Sequence, residues 1–247
     1  MSTSERRSLA ELRVLLVGVG GVGAPCALAL VEAGVRHLRL ADDDEVERGN
    51  LHRQILFSEA DVGRPKLEAT RDALLRRRSD LVIDLRPGRA LPDNALELVR
   101  DVDVVVDACD NFPTRFLLAD AAAIAKVPIV HAAAIRWFGT VLAAKAEGGP
   151  CYRCLFEDLP EGPAPDCATG GIVGPVVGVV GALAAEMAIS AGLRDGRLTG
   201  HVATFDGRRD ELRLVEVARR ASCPLCGPHR SIFTLDEARY LGAICTA

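Results

Sequence analysis

The chain has 247 residues, 49% of them hydrophobic, which suits one large domain or two small ones. Its 30 basic and 34 acidic residues leave a net charge of −4, so bulk charge gives no case for nucleic-acid binding, and none is expected. Eight cysteines in a chain this long do not make a disulfide scaffold, which belongs to small secreted domains.

Arg6, Arg7 and Arg13 precede the apolar run 14–31, an arrangement that imitates a signal peptide. Gly18, Gly20, Gly21, Gly23 and Pro25 interrupt that run. They suit a strand over 13–17, a glycine turn, and a helix over 21–33 stopped by Gly34. A second strand over 37–41 ends in Asp42, Asp43 and Asp44. Pro65 opens a helix over 66–77. Strands follow at 81–83 and 103–107, a helix at 114–125, and a strand at 128–131. This alternation predicts a parallel sheet with helices on both faces.

The rhythm changes after Gly139. Residues 140–145 read as a strand, and 155–171, rich in Pro, Gly and Asp, as a long loop of the kind that is often functional. A helix over 175–191 and short strands near 202–205 and 212–215 complete the chain. The run 174–193 has the length of a membrane span. Glu186 and four glycines favour a buried core helix, so no span is expected and the chain is expected to be cytoplasmic. The helix is apolar nearly all round, which predicts burial on every side. Gly174 and Gly178 make a small-xxx-small step for close helix approach.

Gly18, Gly20 and Gly23 fit the spacing G-x-G-x-x-G between a strand and a helix. The first permits the turn, the second lets backbone approach phosphate, and the third lets helix pack on strand. The helix start offers free N–H groups to an anion. Asp42, at the tip of the next strand, is placed to accept from ribose hydroxyls. Alone, this pattern points to a dinucleotide. Asn50, Arg53, Gln54 and Lys66 add polar and cationic groups that a dinucleotide does not need and a triphosphate does. A solvated charged loop is the other reading of Arg53. Lys66 is one of three lysines, and at a helix start the dipole opposes its charge unless an anion is near. Asp110, just past the strand at 103–107, can hold a magnesium ion; alternatively Asp110 or Asn111 caps the following helix. His131 reads as a satisfied core histidine.

Cys151-x2-Cys154 and Cys223-x2-Cys226 can supply four thiolates to a structural zinc; the alternative is a redox pair. Cys167 lies in the long loop with no adjacent base to activate it.

The motifs GVGGVG, DDDEVERGNLHRQ, DVGRPK, DACDNFPTR, CYRCLF and CPLC stand in this order from about residue 12 to 226. With them the chain resembles the MoeB/ThiF/HesA family of E1-like adenylyltransferases of ubiquitin-like sulfur carrier proteins. The resemblance implies a Rossmann-like, mostly parallel twisted α/β sheet with helices on both faces, C-terminal antiparallel strands and a zinc knuckle. It implies a single adenylating domain over 1–247, with a nucleotide half at about 12–134 and a knuckle and crossover half at about 135–247. Carried over by position, Gly21, Asp42, Asn50, Arg53, Lys66, Asp110 and Asn111 bind ATP, with Gly20, Asp44 and Gln54 beside them. Arg53, Lys66 and Asp110, which holds magnesium, serve the reaction. Cys167 answers to a cysteine that in some relatives bonds covalently to the carrier. Cys109 stands where Thr is usual and is expected to be buried and inert, and Arg115 is without an assigned role.

The implied reaction is adenylylation of the C-terminal glycine carboxylate of a small carrier ending Gly-Gly, for thiocarboxylate formation. Sulfur is expected from a separate donor, as no rhodanese-like extension is read in this sequence. The family pairs through the helix at 175–191, which implies a homodimer. Relatives carry an R-Y-x-R-Q-like segment before the glycine loop; here only Arg6 or Arg7 is available to replace it. Two alternatives follow: an enzyme adenylating another carboxylate or a modified tRNA base, and a non-catalytic partner subunit.

Overall fold

Residues 8–160 and 171–240 are described by a computed structural model. Arg6, Arg7, Cys167 and Cys245 lie outside them. Strand β1 (Arg13–Val17) is buried at every position but its first. A strand covered on both faces needs such an unbroken apolar run. It is flanked in parallel by β2 (His37–Asp42) and β4 (Val104–Asp107). Outside these lie β3 (Val82–Pro87) and β5 (Ile129–Ile135), also parallel. Then β6 (Phe138–Ala144), β7 (His201–Asp206) and β8 (Glu211–Glu216) continue the sheet antiparallel. The order is β3-β2-β1-β4-β5-β6-β7-β8.

Alternate side chains of β1 feed two cores, as the two-residue period of a strand requires. Val14 and Leu16 join the face covered by α1 (Gly23–Ala33), α2 (Lys66–Arg77) and the long helix Gly174–Gly192. Leu15 and Val17 join the other face, under α3 (Ala95–Leu98), α4 (Phe112–Ala125) and α5 (Tyr152–Leu155). The long helix is α6.

Two strands run further than their sequence signal. β5 extends through Ala132, Ala133 and Ala134, whose β propensity is poor, because each pairs with β6 from Val141 back to Gly139. β3 continues to Pro87 along β2.

Helix α6 is long and apolar enough to cross a membrane by length and composition, and it packs on α1, β4, β5 and β6. It is not buried on every side: Pro175, Val179, Ala182 and Glu186 share an exposed stripe. Within the chain, the close helix approach falls at another glycine. A side chain at Gly174 would press on His52 O at 2.7 Å, whereas one at Gly178 would meet nothing within 4 Å among the described residues. One at Gly181 would press on Val22 O at 2.8 Å and Cys26 N at 2.9 Å, so Gly181 is where α6 crosses α1.

Gly181 and Gly178 predict opposite effects. Gly181→Ala forces backbone apart and is expected to destabilise by about 1–3 kcal/mol. Within one chain Gly178→Ala gains helix propensity and meets no clash, so it is expected to stabilise the monomer by about 0.5–1 kcal/mol. Urea midpoints decide it, and an equal shift in both variants contradicts the crossing.

Candidate functional site

The glycine turn sits where β1 meets α1, against the end of β4. Gly18 takes a left-handed backbone (φ +88°), and its missing Cβ would lie 2.8 Å from Ala108 O. The turn backbone is held by Asp42, whose Oδ2 accepts from Val19 N at 2.7 Å and whose Oδ1 accepts from Asp44 N at 2.9 Å. Each oxygen keeps a further lone pair. Burial raises the Asp42 carboxyl above its usual range, against the opposing pull of those N–H groups and Lys66.

Lys66 begins α2 and is only 5% exposed. Its Nζ lies 2.6 Å from Asp44 Oδ2, which supplies the anion its position demands. Arg53 and Gln54 follow a short 3₁₀ turn, Arg48–Asn50, with their N–H groups on Asn50 O. Asn50 Nδ2 donates to Glu47 at 2.9 Å. The Arg53 chain lies over Gly21, where a Cβ would be 3.5 Å from its Cδ, and Gln54 Nε2 lies 3.6 Å from such an atom at Gly20. Among the described residues Arg53 has no ion-pair partner within 4 Å. Gln54 is 2% exposed, and its Oε1 has no hydrogen-bond partner there either. A backbone cradle with an unengaged guanidinium and an orphan carbonyl beside it fits an anionic, polar ligand. Arg89, paired with Asp43 at 2.7 Å, adds a cation at the end of β3 that sequence reading did not single out.

The turn after β4 carries Asp110 and Asn111. Asn111 caps α4, its Oδ1 accepting from Thr114 N at 2.9 Å. The cap therefore falls to Asn111, and Asp110 is exposed, with no ion pair within 4 Å among the described residues. Below them Asp107 is fully buried. Its Oδ1 accepts from Cys109 N at 3.0 Å; its Oδ2 lies 2.7 Å from His131 Nδ1 and 3.4 Å from Arg115. Burial raises this carboxyl, but Arg115 and then His131 outweigh it and hold it below its ordinary value. Arg115 also donates to the carbonyls of Cys109 and of Ala132, the latter at 2.9 Å. Its role is thus internal bracing. Burial pushes the half-buried Cys109 thiol well up, as an inert thiol requires. His131 is in the core but is not the satisfied histidine expected: its Nε2 is buried with no hydrogen-bond partner among the described residues.

The four knuckle cysteines converge, with all sulfurs within 4.8 Å of one another. Cys151 to Cys223 is 3.5 Å, Cys154 to Cys226 3.3 Å, and Cys151 to Cys154 3.9 Å. Tetrahedral zinc with sulfur at about 2.3 Å needs sulfurs about 3.7 Å apart. Thiols this close cannot all ionise unaided. The Cys151 hydrogen bond draws Cys226 down to about 5 and pushes Cys151 up, while burial raises Cys154. A divalent cation removes that conflict, so the donor set fits zinc.

The ThiF family model matches residues 1–225. Sulfur carrier protein adenylyltransferase of Thermus thermophilus is 40% identical over 226 residues, covering 89% of this chain and 83% of that protein. SAMP-activating enzyme E1 of Haloferax volcanii is 40% identical over 221 residues, covering 89% and 82%. Adenylyltransferase and sulfurtransferase MOCS3 of Culex quinquefasciatus is 40% identical over 235 residues, which is 93% of this chain and 53% of that protein. The chain thus spans about half the length of the MOCS3 relatives it matches. The crystal structure of E. coli MccB with ATP shares the fold, with a TM-score of 0.78 at 22% identity over 90% of this chain and 69% of that one.

His131 makes a pH prediction. Burial lowers its pKa below 6.5, against the pull of Asp107 and with some help from Arg115. As pH falls, the unfolded chain therefore takes up this proton first. Stability tied to the neutral ring is complete above about pH 6.5 and is lost as pH falls below it. The urea midpoint of the wild type is expected to drop more steeply on acidification than that of His131→Asn. Parallel pH profiles count against it.

Proposed function

This chain belongs to the ThiF family, and we propose that it is an ATP-dependent adenylyltransferase. Its substrate is the C-terminal glycine carboxylate of a small ubiquitin-like sulfur carrier ending Gly-Gly. The names of the relatives support the activity. The observation that carries the reading in this chain is the set of groups gathered at the carboxyl ends of the central strands. The Gly18–Gly23 turn lies under Arg53 and Gln54, with Lys66 against Asp44. Ligands of open α/β sheets bind at that edge.

In this reading a carboxylate oxygen of the carrier bonds to the α-phosphorus of ATP. The bond to the bridging oxygen breaks, giving acyl adenylate and pyrophosphate. Arg53 and Lys66 offset the phosphate charge; Gly20 and Gly21 let backbone reach the phosphates; Asp42, Asp44, Asn50, Gln54 and Asn111 surround the nucleotide. Asp110, exposed at the turn after β4, would hold magnesium, and the ion would supply further charge neutralisation. Sulfide-level sulfur from a separate donor then bonds to the acyl carbon, the acyl–phosphate oxygen bond breaks, and AMP leaves the thiocarboxylate. Cys167, outside the described residues, is a candidate for a covalent step. Positioning and electrostatics account for the catalysis.

Cys151, Cys154, Cys223 and Cys226 hold structural zinc in the same proposal. The exposed stripe of α6, with Val179 and Ala182, is the surface for a homodimer. Light scattering at micromolar concentration tests the dimer; a monomer with full activity removes it.

Calorimetry is expected to show magnesium-ATP binding far more tightly than NAD, and the reverse order defeats the nucleotide assignment. Lys66→Ala is expected to lose about 1.5–3 kcal/mol in the ATP–pyrophosphate exchange reaction. Unchanged exchange takes Lys66 out of the site. For the knuckle, elemental analysis is expected to find about one zinc per chain. Cys151→Ser or Cys226→Ser should lose the metal and melt lower, and retained zinc contradicts the four-thiolate site.

A further inference from the structure

His131 is the one polar side chain of β5, whose other residues are Ile129, Val130, three alanines and Ile135. It is 3% exposed, and half of its hydrogen-bonding capacity is unused, since Nε2 has no partner among the described residues. Burying such a ring costs free energy that an apolar residue would avoid. Its single polar contact explains its presence. β4 and β5 pair in parallel with Asp107 opposite His131, so the two side chains stand together at the carboxyl end of the sheet. The 2.7 Å bond from Nδ1 is the shortest contact that Asp107 Oδ2 makes, because Arg115 stands 3.4 Å away. The other oxygen, Oδ1, accepts from Cys109 N, the residue before Asp110. The carbonyl just upstream, Ala108 O, lies against Gly18 of the glycine turn. Tyr152, from between two knuckle cysteines, covers the imidazole with ring centroids 4.3 Å apart.

We infer that His131 is a positioning residue of the nucleotide site: it fixes the Asp107 carboxylate and, through it, the turn that presents Asp110. The inference rests on the adenylyltransferase reading for its link to ATP, and on the hydrogen bonds alone for its link to the turn. Asn at this position can set an amide N–H close to where Nδ1 now stands; Leu fills space and donates nothing.

Wild type, His131→Asn and His131→Leu are compared in two measurements: magnesium-ATP binding by calorimetry, and amide hydrogen exchange across 109–111. His131→Leu is expected to bind magnesium-ATP about tenfold more weakly and to exchange faster across 109–111. His131→Asn is expected to stay within about twofold of wild type in both. Unchanged affinity and exchange in His131→Leu overturn the inference. So does an equal loss in both variants, which marks a packing role and not the hydrogen bond. Wild-type protein that fails to bind magnesium-ATP overturns the adenylyltransferase reading instead, and the exchange data then decide the role of His131 by themselves. Should His131→Leu not fold, the ring nitrogen-15 shifts of the wild type near neutral pH replace it. A proton on Nδ1 supports the bond to Asp107; a proton on Nε2 alone overturns it.

Discussion

A carboxylate removed from water must be compensated, and the architecture around the candidate site follows from compensating Asp107. It is fully buried at the end of a central strand. Its compensation comes from three directions: the Cys109 N–H of its own turn, Arg115 one turn into α4, and His131 on the neighbouring strand. An uncompensated buried charge costs several kcal/mol. Each partner is therefore held in place as firmly as it holds Asp107. The turn that carries Asp110 and Asn111 is thereby tied to this buried network through the Cys109 N–H, in a region of the sheet where loops are otherwise free to vary.

A comparable ionic brace ties the far side of α4. Asp120 is buried and accepts from Arg153 Nε and Nη2, at 2.8 and 3.0 Å, and from the Tyr240 hydroxyl at 2.8 Å. Arg153 and Tyr152 are the two residues between Cys151 and Cys154. The knuckle thus inserts a cation and an aromatic ring into the core from the same short segment. Tyr152 lies edge-on to Phe116 at 5.1 Å, and Arg153 sits over the same ring at 4.7 Å. The cysteine cluster is built into the α4 face of the sheet rather than hung from its edge.

Much of this was legible in the sequence. The glycine spacing, the apolar runs and the paired cysteines each encode a local constraint, and each was found where expected. Other features were not legible. The alanines of β5 become strand only through their pairing with β6, a long-range effect with no local signal. The burial of Asp107, Arg115 and His131 as one unit depends on strand register, which places residues 24 apart in sequence side by side. Helix α6 shows a subtler limit. Uniform apolarity suggested uniform burial, yet one stripe remains open, because hydropathy says what can be buried and not how many neighbours exist to bury it.

The spacing of the knuckle has a meaning beyond its local geometry. Cys151 and Cys223 stand 72 residues apart, and the chain between them contains α6, β7 and β8. The four thiols meet only in the folded chain, because α6, β7 and β8 must be in place before Cys223 and Cys226 return to Cys151 and Cys154. On the proposed zinc reading, a metal bound there would select the folded arrangement of that whole stretch, and its binding free energy would count as folding free energy. Opening the antiparallel strands would then mean giving up the ion as well as the strand pairing.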